Sequence, residues 1–137
     1  MALNAYSRAR EGSKALSANF TVGEFACRDG SDPIFIDSDL VALLQAIRDH
    51  FGKPVAITSG WRTAAHNAAV GGARFSQHCY GRAADIRVPG ASVEAVAAYV
   101  EALLPGTGGL GRYPAKPGRA VGWVHVDTRP HKSRWTG

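Results

Sequence analysis

Residues 76–88 read SQHCYGRAADIRV, and this stretch decides the fold. From Arg82 to Val88 it alternates as a half-buried strand does, with Ala83, Asp85 and Arg87 on one face and Ala84, Ile86 and Val88 on the other. One face holds chemistry and the other packing. Gly81 permits a sharp turn just before the strand, and Ala83 leaves space beside Asp85, so a turn there is able to bring His78 and Asp85 to one point.

A second strand pattern lies at residues 122–128, GWVHVDT, where Trp123, His125 and Asp127 share a face while Val124 and Val126 point into the packing. This is a polar stripe on an apolar strand. Two imidazoles and one carboxylate around an open fourth position form the ligand set expected of catalytic zinc. A structural zinc site calls for a closed set richer in Cys.

Around these strands the chain spells out the other elements. Asp37 or Ser38 is placed to cap a helix carrying Leu40, Val41, Leu44, Ile47 and Phe51 at helical spacing, stopped by Gly52 and Pro54. PVAITS, residues 54–59, alternates as a strand, and Ala64 to Val70 reads as a short helix ended by Gly71 and Gly72. Ser92 caps a helix through Val93, Val96, Val100 and Leu104, and residues 109–113 and 121–128 flank a turn-rich loop as a hairpin. Helices set between strands and a closing hairpin predict an α+β domain with a small, mainly antiparallel sheet.

Composition bounds the function. The chain has 137 residues, 45% hydrophobic and 20% charged, which suits one globular domain and excludes a disordered chain or a coiled coil. A net charge of +5 favours anionic surroundings, but the basic residues are scattered, with no nucleic-acid-binding motif or zinc-finger spacing, so no nucleic-acid partner is expected. Two cysteines, Cys27 and Cys79, allow at most one bridge. The first twenty residues carry Arg8, Arg10, Glu11 and Lys14 without an uninterrupted apolar run, and read as neither a secretory signal nor a membrane span.

Ser76, His78, Gly81, Ala83 and Asp85 follow the pattern S-x-H-x-x-G-x-A-x-D without a gap. With His125 in its strand and SGWR at Ser59 to Arg62, they make the chain resemble the zinc D-alanyl-D-alanine peptidases of the M15 type, which share their fold with the signalling domain of Hedgehog. The resemblance runs from FTVGEF at residue 20 to RW at residues 134 and 135, and it leaves residues 1–19 as an N-terminal arm before a zinc peptidase domain at 20–137. It implies zinc held by His78, Asp85 and His125, with Arg62 holding substrate during catalysis and Ser76 beside the ligands or facing substrate. It further implies peptidoglycan stem peptides as substrate, cut by a carboxypeptidase or an endopeptidase. The expected setting is synthesis in the cytoplasm and action at the bacterial wall, after phage-driven lysis or another release route.

The general base is where the sequence departs from the pattern. Several relatives place Glu or Asp three residues before the last histidine and others a His two before it, but here those positions are Gly122 and Trp123. Neither transfers a proton. Asp127 is the remaining candidate on that face, either as base or as a partner orienting His125, and His131 is a more distant one. Trp123 shares the face and is placed to wall a substrate cleft, whereas His50 and His66 lack metal-spaced partners and Cys79, next to His78, should point elsewhere. Two rival functions remain: a non-catalytic metal-binding domain of the same fold, and a basic protein that binds nucleic acid.

Overall fold

Asp37 closes one element and opens the next. In the computed structural model, which describes residues 2–137, it is the last residue of a strand, β2 (Pro33–Asp37), and its side chain caps a helix, α2 (Ser38–Phe51), by accepting from the Asp39 N–H. Gly52, left-handed at φ 61°, ends that helix as its position after Phe51 predicts. The buried face of α2 carries Leu40, Val41, Leu43, Leu44 and Ile47, each adding about 1.5–3 kcal/mol of apolar burial.

Strands β3 (Ala56–Ser59), β4 (Ala83–Arg87), β5 (Gly109–Tyr113), β6 (Trp123–Asp127) and β7 (Ser133–Thr136) form one sheet in the order β3-β4-β6-β5-β7. All its neighbours are antiparallel except β5 and β7, which run parallel. The architecture is α+β with a small, mainly antiparallel sheet. Ala84, Ile86, Val124, Val126 and Leu110 turn one sheet face into the core, which α2 and α4 (Val93–Leu103) complete. The opposite face carries Asp85, His125 and Asp127. A short helix, α3 (Ala64–Ala69), capped by Thr63, follows β3.

Three strands, β2 among them, have no counterpart in the sequence reading. Residues 1–19, expected as an N-terminal arm, contain β1 (Leu3–Ser7), paired antiparallel with β2, and a single helical turn, α1 (Arg8–Glu11). Most of β1 is exposed, so it lacks the apolar alternation that announces a strand. β7 is four residues long, and its anchor is Arg134, whose guanidinium pairs with Glu101 of α4 and donates to the Gly108 carbonyl. Among the described residues no helix is long and apolar enough to cross a membrane.

Candidate metal centre

The site is assembled from a turn, a loop and two paired strands. Residues Gln77–Tyr80 form a 3₁₀ turn capped by Ser76, whose hydroxyl accepts from the His78 N–H at 3.2 Å, and closed by Gly81 at φ 72°. The Gly81 carbonyl accepts from the Asp37 N–H, and a Cβ on Gly81 would meet the Phe35 carbonyl carbon at 2.8 Å. Glycine is needed at this turn both for its φ and for its packing on β2.

That turn buries His78 and aims its ring. Nδ1–H donates to the Gly60 carbonyl at 2.7 Å, which leaves Nε2 facing Asp85 Oδ1 at 3.3 Å. The carbonyl reaches His78 because residue 60 is glycine, where a Cβ would lie 2.8 Å from the Phe25 backbone. The neighbouring Arg62 N–H donates to the His78 carbonyl and Trp61 Nε1 to that of Cys79, so the SGWR segment is stitched to the turn.

Asp85 and His125 are direct partners across β4 and β6. Asp85 Oδ1 lies 3.0 Å from His125 Nδ1, while Asp85 Oδ2 accepts from Arg62 Nη2 at 3.3 Å. Arg62 also donates to Ser59 Oγ and Asn67 Oδ1, so its guanidinium is locked around the carboxylate. One ligand atom from each of His78, Asp85 and His125 lies within 4.8 Å of the others. Around a tetrahedral zinc, ligands at about 2.0–2.1 Å lie roughly 3.3 Å apart, so small side-chain adjustments suffice to close this set on an ion.

Asp127 stands behind His125. His125 Nε2 is 2.7 Å from Asp127 Oδ2, and Asp127 is wholly buried. Its oxygens also accept from the Gly109 N–H, the Arg129 N–H and the Arg129 guanidinium. A carboxylate that orients the far nitrogen of an imidazole ligand is a recurrent feature of metal sites.

Charge follows the same geometry. Burial pushes the Asp85 carboxyl up, but hydrogen bonds from His125 and His78 outweigh it and hold it well below the usual carboxylate range. Asp127 is likewise held low, because its bonds with His125 and Arg129 overcome burial. His125, though burial acts to lower it, is raised by its two carboxylate partners.

Arg62, Ser76, His78, Asp85, Trp123 and His125 line one cleft of about 420 Å³. Asp127 lies outside that lining, and His131 is exposed and outside it too. Cys27 and Cys79 are unpaired thiols, and neither joins the ligand cluster. The sequence reading missed Tyr113, Arg129 and Trp135, which form the opposite wall with Trp123. Tyr113 stacks on Trp123 with centroids 4.7 Å apart, and its hydroxyl accepts from Trp135 Nε1. Trp135 comes from β7 and lies over Gly111, where a Cβ would meet its indole at 2.6 Å, so only the unpredicted strand brings it here. Arg129 had one signal, as the next residue in the alternation after His125 and Asp127.

No curated protein matches the chain. The family model described as Peptidase M15 matches residues 18–127, a span that holds His78, Asp85, His125 and four of the five strands of the sheet. The chain belongs to the Peptidase M15 family.

Proposed function

We propose that the chain is a zinc-dependent peptidase of the Hedgehog/DD-peptidase fold that hydrolyses peptide bonds in peptidoglycan stem peptides, as a D,D-carboxypeptidase or an endopeptidase. Membership of the family makes it a metallopeptidase. The observation that carries the zinc reading is that His78 and His125 each tie one ring nitrogen to a backbone or carboxylate oxygen and turn the other toward Asp85 Oδ1. Both imidazoles are thereby oriented as ligands. Bound there, zinc supplies Lewis acidity to a scissile carbonyl and to an attacking water.

In this reading Arg62 holds Asp85 in place and presents guanidinium surface to carbonyl or carboxylate groups of the peptide. Ser76 fixes the turn that carries His78 and borders the substrate, and Trp123 walls the cleft. Asp127 takes the orienting role of the two open to it, since its oxygens are engaged behind His125. The net charge of +5 suits an anionic wall polymer, reached after phage-driven lysis or by another release route.

One observation favours a second reading, a metal-binding domain without turnover. Among the described residues lining the cleft, Asp85 is the only carboxylate, so no second one stands ready to take a proton. Digestion of purified peptidoglycan by the zinc-loaded protein, with mass analysis of the products, separates the two. Loss of a terminal residue marks a carboxypeptidase and conversion of cross-linked dimers to monomers an endopeptidase, in each case abolished by chelator. Bound zinc with unchanged peptidoglycan would establish the second reading, and salt-sensitive DNA binding that survives chelation would point away from both.

A further inference from the structure

The loop that joins α3 to the His78 turn carries a feature the metal centre does not use. Phe75 has φ 62°, the one positive φ outside glycine among the described residues, and its side chain is 69% exposed. A bulky residue is strained in the left-handed region, and an exposed ring recovers little burial in return. Of the six large hydrophobic residues that are exposed among the described residues, three surround this loop: Val70, Phe75 and Tyr80. Strain combined with exposed apolar surface at a cleft rim points to a ligand contact.

The loop is also held firmly against the centre. Asn67, buried beneath it, donates to the Ala73 carbonyl and accepts from Arg62 Nη1, and Arg62 in turn holds Asp85. Gly72 fits only because it lacks a Cβ, which would press on the Asn67 amide.

Arg74 supplies the chemistry. Its guanidinium lies 5.1 Å from the Phe75 ring centroid and has no carboxylate partner among the described residues. The two other arginines of the cleft, Arg62 and Arg129, are engaged with Asp85 and Asp127. Among the described residues that line the cleft, Arg74 is therefore the arginine without a carboxylate partner. Gly72, Arg74 and Phe75 border both the cleft and an adjoining, largely apolar recess of about 440 Å³, walled by Ala64, Ala68 and Tyr80.

We propose that Arg74 and Phe75 form a specificity subsite for a substrate residue whose aliphatic stem ends in a carboxylate, the stem lying on the Phe75 ring and in the recess and the carboxylate pairing with Arg74. This rests on the peptidase reading, since the occupant is part of the peptide being cut. An aromatic face, an apolar recess and a free guanidinium together match that side chain better than a purely apolar or a cationic one.

The test uses two fluorescently labelled stem peptides that differ in one side-chain carboxylate, free in one and amidated in the other. Anisotropy is read on the zinc-loaded full chain within the first turnover. The free-carboxylate peptide should bind about fivefold tighter at low ionic strength, with the gap narrowing as salt rises. Arg74→Gln should bring the two affinities within about twofold of each other. Phe75→Gly should weaken both by about tenfold without lowering Tm, because glycine accepts the left-handed φ, and Phe75→Leu should restore part of the affinity.

Equal affinities in the unmodified protein, a preference that survives Arg74→Gln, or a Phe75→Gly variant that binds normally or melts earlier would each overturn the subsite. Hydrolysis is scored separately on the same peptides. Discrimination without hydrolysis overturns the peptidase reading and leaves the subsite standing, hydrolysis without discrimination does the reverse, and no binding of either peptide overturns both.

Discussion

His125 Nε2 lies 2.7 Å from Asp127 Oδ2, on the opposite side of the ring from the nitrogen that faces Asp85. Asp127 is thus one position behind the candidate ligand set of His78, Asp85 and His125. Its oxygens also receive the backbone N–H groups of Gly109 and Arg129 and the Arg129 guanidinium, so a proton taken from a water in the cleft would have to displace an existing partner. The arrangement stabilises an orienting carboxylate and disfavours a mobile base.

Asp127→Asn should therefore act first on the metal. The amide offers one acceptor where the carboxylate offers two, and its NH₂ opposes either the His125 Nε2–H or the Arg129 guanidinium. Zinc affinity, measured by competition against a chelator of known strength, should fall by about 10–100-fold. A variant that keeps its zinc affinity and loses only kcat would restore Asp127 as the proton-transfer group.

Acidity gives a second prediction. The raised pKa of His125 means that its contribution to stability in the metal-free protein is complete below the unfolded value of about 6.5, and is lost as pH rises through the higher folded value. Asp85 and Asp127, held low, contribute above the unfolded value of about 3.9 and lose that contribution only as pH falls through their strongly acidic folded values. Tm of the chelated protein should thus decline as pH rises above about 6.5 and through the higher folded value, while zinc affinity rises over the same range because binding releases the His125 Nδ1 proton. Melting curves and titration calorimetry in buffers of differing ionisation enthalpy read both. A metal-free Tm that climbs with pH over this range would contradict the assignment.

How much of this was legible in the sequence depends on periodicity. Alternation in RAADIRV and WVHVD placed Asp85 and His125 on a common face, and the two prove to be cross-strand partners. Contacts made by backbone atoms leave no such trace: the Gly60 carbonyl that aims His78 is invisible until the loop is folded. β2 escaped notice because a turn-rich run precedes it and a helix cap ends it, leaving only Ile34 and Ile36 as buried apolar markers. Asp127 was placed on the correct face, but a period of two fixes direction without depth, so its burial behind His125 required the sheet register and Gly109.

Arg62→Lys tests whether the guanidinium fork matters or only the charge. Arg62 divides its donors among Asp85 Oδ2, Ser59 Oγ and Asn67 Oδ1, and a single ammonium cannot span all three. Lysine should keep the sign of the charge while loosening Asp85, with kcat/KM falling by about tenfold or more, on the order of the 1.5–3 kcal/mol of a charged hydrogen bond. Michaelis kinetics beside a zinc titration make the distinction, and wild-type values for both would remove Arg62 from the site.

Gly109→Ala is the sharpest test of the support behind the ligands, because it alters no group that touches the cleft. Gly109 pairs with Asp127 across β5 and β6, and a Cβ there would press on both carboxylate oxygens. The same residue donates its N–H to Asp127 Oδ1, so pushing the strand away to relieve the clash would break that bond as well. Either response shifts Asp127, and with it the oxygen that holds His125 Nε2. Overpacking at a buried site costs about 1–3 kcal/mol, so Tm should fall by several degrees, and zinc affinity should fall in parallel with that of Asp127→Asn. In a double-mutant cycle the two substitutions should be strongly non-additive in zinc affinity, since both act through one carboxylate. Additive effects would mean that Gly109 shapes the strand alone and that His125 is held by something other than Asp127.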